Sequence, residues 1–312
     1  DSFSGFLSIG GKSSATNGHF MFANYSSGVK TNRDTWCYNA SKANIIRNVE
    51  EMISFFNSEV SRYQLLDKAV LDNSDPVNFV IQDAKKISWT REVYADVRKG
   101  NLASVLGSGF NQALYRPFTK VWMYFNRQFN NCVYQMPRIF PDAQAPNLVI
   151  CVSGIGARAG FSALIASQIP NYDSIEKSQC FPLYLYEDEP KPTDAQSDIF
   201  ATGKPAERTR RDAITDEGLK HFTDAYPSQF INKEDIFYYV YGLLHSPEYR
   251  EQYADNLSKE LPRIPRVKTY DDFWAFSKAG RDLANLHLNY ETITPYAGAK
   301  VTIKGLETSA TY

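Results

Sequence analysis

Two hydrophobic periods divide the chain. From Ser41, the residues Ile45, Val49, Met52, Ile53, Phe56 and Val60 recur three and four apart. That spacing gathers one apolar stripe on a helix, and Ser41 or Asn39 supplies an oxygen to cap it. A second helical stretch is predicted over about 78–99, ended by Gly100 and the Gly107–Gly109 break. Ahead of Ser41, short apolar clusters alternate with Gly and Ser, as in Ser2–Ile9 and His19–Tyr25. These predict short strands and loops that close in the loop Ser27–Asp34.

The span 110–140 reads as aromatic-rich strands joined by turns. Asn147–Ser153 is an apolar run stopped by Gly154, the mark of a buried strand, and Phe161–Ser167 and Phe181–Tyr186 add two more. Between Glu187 and Glu217 the composition turns polar, with Pro190, Pro192, Gly203 and Pro205, which predicts a loop or mobile connection. Helices follow over Asp235–His245, from Ser246-Pro247 to about Leu261, and over Tyr270–Asn289, with a tail that pairs as strands or frays. The expected fold is α/β, a mixed sheet of aromatic-rich strands flanked by helices, with a helical C-terminal part. Its expected units are a core over 1–187, a polar connection over 188–217 and a mainly helical part over 218–312 packed on the core.

Composition narrows the function. At 312 residues and 43% hydrophobic the chain can bury a substantial core, and disorder throughout is excluded. Thirty-four basic residues against 35 acidic give a net charge of -1, so any affinity for nucleic acid must come from a local basic surface. Cys37, Cys132, Cys151 and Cys180 form no CxxC pair or dense framework, which favours a reduced, cytoplasmic protein. The Asn-x-Ser sequons at Asn24, Asn39 and Asn256 then read as chance matches, and no apolar run is long enough to cross a bilayer. A chain that opens at Asp1 in mid-pattern is expected to be a piece of something longer.

Catalytic motifs are not evident. His19, His221, His245 and His287 stand in unrelated contexts without metal-ligand spacing, and His245 is expected to partner the carbonyls at the end of its helix. Pro141-Asp142 and Glu189-Pro-Lys191 carry the letters of a metal-dependent nuclease, but lie far apart, the second in a Pro-rich loop. Ser153–Gly160 spaces its glycines as GxGxxxG, where a dinucleotide loop needs GxGxxG opening a helix. A tight turn, or a loop presenting Arg158 to phosphate or base, accounts for it better.

Basic residues beside aromatics carry the stronger signal. Guanidinium forks suit phosphates and base edges, and Asn pairs bidentately with adenine. Lys30, Asn32 and Arg33 crowd one loop, where turn hydrogen bonds and a carboxylate partner for Arg33 are the competing account. Arg116, Lys120, Arg127 and Arg138 alternate with Tyr115, Trp122, Tyr124 and Tyr134, either as readers or as stems covering an aromatic sheet. Lys204, Arg208, Arg210 and Arg211 make a basic run in the polar connection, fit to track a phosphate backbone or simply to be solvated.

Several of these blocks, in order, resemble the C-terminal specificity segment of Type ISP restriction-modification enzymes. They are Gly28–Asp34, Tyr115–Phe118, Tyr134–Arg138, Gln179–Tyr184, Ile236–Arg250 and Lys259–Pro265, so the similarity covers nearly all of the chain. The resemblance implies a target-recognition domain for double-stranded DNA with no cofactor of its own. It also implies methyltransferase and helicase–nuclease segments in the same polypeptide, served by S-adenosylmethionine, ATP and Mg. Base-contacting residues vary with the target, so the resemblance assigns the shared landmarks to scaffold. The expected DNA-facing loops are those around 28–34, 111–138 and 154–160. A complete methyltransferase or nuclease fragment, or a protein-interaction scaffold docking through the C-terminal helices, are the alternatives.

Overall fold

The computed structural model describes residues 2–11, 19–188, 208–294 and 296. The N-terminal part carries β1 (Leu7–Ser8), β2 (Ser26–Ser27), α1 (Asp34–Cys37), β3 (Tyr38–Asn39) and α2 (Lys42–Gln64), then α3 (Lys68–Leu71), α4 (Pro76–Phe79) and α5 (Arg91–Lys99). The middle contains β4 (Phe110–Arg116), β5 (Thr119–Tyr124), α6 (Met136–Ile139), β6 (Val149–Val152), β7 (Ala163–Ala166), β8 (Ile169–Pro170), β9 (Gln179–Pro182) and β10 (Tyr184–Asp188). The remainder is β11 (Arg208–Asp212), α7 (Asp216–Thr223), α8 (Lys233–Leu243), α9 (Pro247–Gln252), α10 (Ala254–Lys259), β12 (Arg263–Ile264) and α11 (Tyr270–Leu288).

The fold is α/β, and its strands divide into two four-stranded sheets, β2-β9-β6-β7 and β3-β5-β4-β8, with two-stranded ribbons β1-β12 and β10-β11. β6 lies between β9 and β7 with all four residues buried, which explains its unbroken apolar run. The aromatic hairpin β4–β5 belongs to the mixed sheet, where β8 joins β4 in parallel. One cluster of buried side chains extends from Phe3 to Ala284, so the C-terminal helices share the core of the sheets.

In α2 the periodic residues from Ile45 to Val60 are all buried, each worth about 1.5–3 kcal/mol for the larger aliphatic and aromatic side chains. Ser41 caps it, its Oγ accepting from the Asn44 N–H at 3.3 Å. The stretch predicted helical over 78–99 is instead broken between α4 and α5. Side chains satisfy its backbone there: Glu59 of α2 accepts from the Ile81 N–H at 2.7 Å, and Asp83 from the Lys85 N–H at 2.8 Å. Beyond β5 no strand follows up to Phe140; buried Asn130 takes the Asn126 N–H at 2.9 Å and holds the chain in turns before α6.

The helix predicted from Pro247 to about Leu261 breaks at Tyr253 into α9 and α10. The described end of the polar connection is not a loop but a strand, β11, paired antiparallel with β10. α8 and α11 cross at Gly242 and Gly280. A Cβ on Gly242 would lie 2.4 Å from the Phe276 carbonyl oxygen, and one on Gly280 1.9 Å from that of Tyr238, so the backbones meet without side chains between them. Of the expected C-terminal tail, residues 295 and 297–312 lie outside the described residues.

Candidate nucleic-acid interface

Four separate segments are sewn into one edge. The Val29 N–H donates to Pro170 O and the Tyr172 N–H to Val29 O, both at 2.8 Å. Lys30 and Cys132 exchange backbone bonds at 3.0 and 2.9 Å, and the Asn171 N–H donates to Leu114 O at 2.9 Å. Gly28 permits this closeness, since a Cβ there would stand 2.4 Å from Asn171 O.

On this edge Lys30 is exposed, with Nζ 5.7 Å from the Tyr172 ring centroid. The Arg116 guanidinium lies 4.0 Å from the Tyr115 ring centroid. One of its nitrogens donates to Tyr115 O at 2.7 Å and to Asn171 Oδ1 at 3.1 Å. Among the described residues no carboxylate pairs with Lys30 or Arg116. Asn32 is exposed at φ 54°, a left-handed turn conformation that Asn tolerates.

Arg33 points the other way. It is 1% exposed, its guanidinium donating to Phe129 O at 3.0 Å, Thr31 O at 3.3 Å and Thr90 Oγ1 at 2.7 Å. Burial lowers its pKa from the ordinary arginine value. A side chain consumed this way by backbone and hydroxyl oxygens cannot read a base, and the carboxylate partner expected in the alternative account is replaced by these neutral acceptors.

The remaining predicted cations scatter and are largely engaged. Arg138 and Arg211 both bind Glu187 Oε1, at 2.5 and 2.7 Å, and hold that carboxyl below its usual range, Arg211 most of all. Arg208 pairs with Asp142 at 3.3 Å, and Arg210 stacks over Tyr184 at 4.3 Å, all three β11 arginines standing on a strand. Lys120 donates to Leu288 O at 3.0 Å and Glu291 at 2.9 Å. Lys204, Glu189 and Lys191 lie outside the described residues.

The glycine-rich turn is closed by its own chain. Glu176 accepts the Arg158 and Ala159 N–H groups at 2.7 and 3.3 Å, which holds its carboxyl below the usual range, Ala159 foremost. Strand β7 follows, not the helix a dinucleotide loop would open. The Arg158 side chain is 94% exposed, its Nε 3.4 Å from Glu176.

Two histidines that look unrelated in sequence meet. The rings of His245 and His287 lie 5.6 Å apart, and Tyr241 shares a 2.6 Å hydrogen bond with His287 Nδ1. Burial, Arg250 and His287 push His245 down to about 3. Arg250, not His245, caps the helix, donating to Leu244 O at 2.6 Å. Among the described residues no three His, Cys, Asp or Glu side chains group to hold a metal ion.

Sequence reasoning missed Asn171 and Tyr172. Pro170-Asn171 signals a turn, and Asn171 Oδ1 does accept from the Asp173 N–H at 2.8 Å, but nothing local indicates that the same atom orients Arg116.

An arginine and a lysine without a described carboxylate partner, an exposed Asn and flanking tyrosines thus stand together on this edge. The chain belongs to the Type ISP C-terminal specificity domain family, which it matches over residues 20–310. Its fold is similar to that in a cryo-EM structure of a DrdV–DNA complex (33% identity, TM-score 0.77, covering 94% of this chain and 26% of that one). It is similar to a nuclease-deletion mutant of the Type ISP restriction-modification enzyme LlaGI in complex with a DNA substrate mimic (31%, TM-score 0.75, 95% and 20%). It is also similar to the ATP-dependent Type ISP restriction-modification enzyme LlaBIII bound to DNA (29%, TM-score 0.76, 95% and 18%). The chain thus spans about a quarter or less of the length of these proteins. No curated protein matches it.

Proposed function

We propose that this domain recognises a short double-stranded DNA sequence through the edge that carries Lys30, Asn32 and Arg116. The observation that carries the reading is Arg116, oriented by Tyr115 and Asn171 while no described carboxylate neutralises it. Lys30 contacts phosphate and sets register, and Asn32 and Arg116 meet base edges in the major groove. Arg158 and the β11 arginines serve at the periphery, where carboxylates already hold most of them. Three similar structures being DNA complexes supports the same partner.

Methyl transfer, ATP hydrolysis and cleavage then belong to methyltransferase and helicase–nuclease segments of the same polypeptide, with S-adenosylmethionine, ATP and Mg bound there. Such an enzyme works in the cytoplasm; among the described residues no helix is long and apolar enough to cross a membrane. Selection from random duplexes, with the chain and with its full-length parent, tests the function. An enriched motif is expected from both. DNA modified or cut by the chain alone, with magnesium and S-adenosylmethionine supplied, would make it an enzyme instead.

A further inference from the structure

Bulky residues seldom hold a left-handed backbone, and those that do mark constrained sites. Three of the five non-glycine residues at positive φ among the described residues surround the edge: Asn32 at 54°, Tyr134 at 47° and Lys177 at 57°. Tyr134 is the least expected, an aromatic held in this conformation and still 44% exposed. Its position is fixed on both sides. Cys132 is bonded to Lys30 in both directions at 2.9 and 3.0 Å, and the Gln135 N–H donates to Ser26 Oγ at 3.1 Å. Burial, foremost, pushes the Tyr134 phenol up to about 12.

The geometry points to Tyr134 as a sequence-independent DNA contact, its ring face packing on a deoxyribose while Lys30 on the same edge takes a flanking phosphate. A DNA strand alternates anionic phosphates with apolar sugar faces, and the edge sets the Lys30 cation, through its Cys132 partner, beside the exposed Tyr134. A ring face packed on a sugar makes no hydrogen bond to a base edge, so the contact carries no sequence information. An uncharged ring displaces no counterions, so it adds affinity without salt dependence. This inference rests on the DNA-recognition reading above.

Tyr134→Asn removes the ring with a residue that tolerates left-handed φ, and Tyr134→Phe keeps the ring. Anisotropy titrations of the whole chain on selected and scrambled duplexes, over a salt series, separate the cases. Tyr134→Asn is expected to lose about tenfold on both duplexes with an unchanged log–log salt slope, and Tyr134→Phe to match wild type. Lys30→Ala, which removes a phosphate contact, should flatten the slope by about 1. Wild-type affinity in Tyr134→Asn, a loss confined to the selected duplex, or an equal loss in Tyr134→Phe overturns the inference while leaving DNA recognition intact. Wild-type chain and parent that bind neither duplex overturn both.

Discussion

Arg138 of α6 and Arg211 of β11 converge on one atom, Glu187 Oε1, at 2.5 and 2.7 Å. Two cations that look like DNA ligands in the sequence are thereby tied to each other's strand and helix through a shared anion. Exposed pairs of this kind are worth about 0–1 kcal/mol. Arg138→Ala and Arg211→Ala are therefore expected to change DNA affinity by less than about twofold, as do substitutions remote from specific contacts. A tenfold loss in either, measured at fixed salt, would move the interface to the β10–β11 ribbon.

Arg33 makes the opposite case. Arg33→Ala strands the Phe129 and Thr31 carbonyls and opens a cavity in the core. The expected cost is about 3 kcal/mol of folding stability, with DNA affinity of the still-folded fraction unchanged. Urea unfolding beside a binding titration checks both halves. Unchanged stability with lost binding would restore Arg33 as a reader.

The crossing of α8 and α11 leaves no room for a methyl group at Gly280. Gly280→Ala is expected to destabilise the chain by about 3 kcal/mol, at the upper end of overpacking penalties, despite its gain in helix propensity. Thermal unfolding measures it; a midpoint equal to or above wild type contradicts this packing.

Acid should loosen the same region. The unfolded chain protonates His245 near its ordinary pKa of about 6.5, whereas burial, Arg250 and His287 hold the folded residue neutral down to about 3. The contribution of neutral His245 is complete above the unfolded value and is lost as pH falls from there toward 3, at up to roughly 1.4 kcal/mol per pH unit. Burial shifts His287 and His221 in the same direction. Urea midpoints should fall between pH 7 and 5, and fall less in His245→Gln. Identical slopes in the two proteins would place the acid sensitivity elsewhere.

Elements whose burial follows a local period were legible: α2 from its stripe, β6 from its unbroken apolar run, α11 from Tyr270 onward. The 80–90 segment was not, because Glu59 on another helix satisfies its backbone. The edge was legible in part. Lys30, Asn32 and Arg116 stand on it, but Arg33 was drawn inward by Phe129, 96 residues away, and Asn171 orients Arg116 across 55 residues. Whether an arginine reads outward or caps a carbonyl inside is decided by such partners, which the flanking residues do not reveal. Treating shared landmarks as scaffold anticipated the fate of Arg33 better than its charge did.

The most direct test compares wild type with Arg116→Ala on a selected duplex and on a scrambled duplex at one defined salt concentration. A bidentate reader lost at Arg116 should remove about 1–3 kcal/mol of the preference for the selected duplex. A preference left whole in the variant, or no preference in wild type, would contradict recognition through this edge.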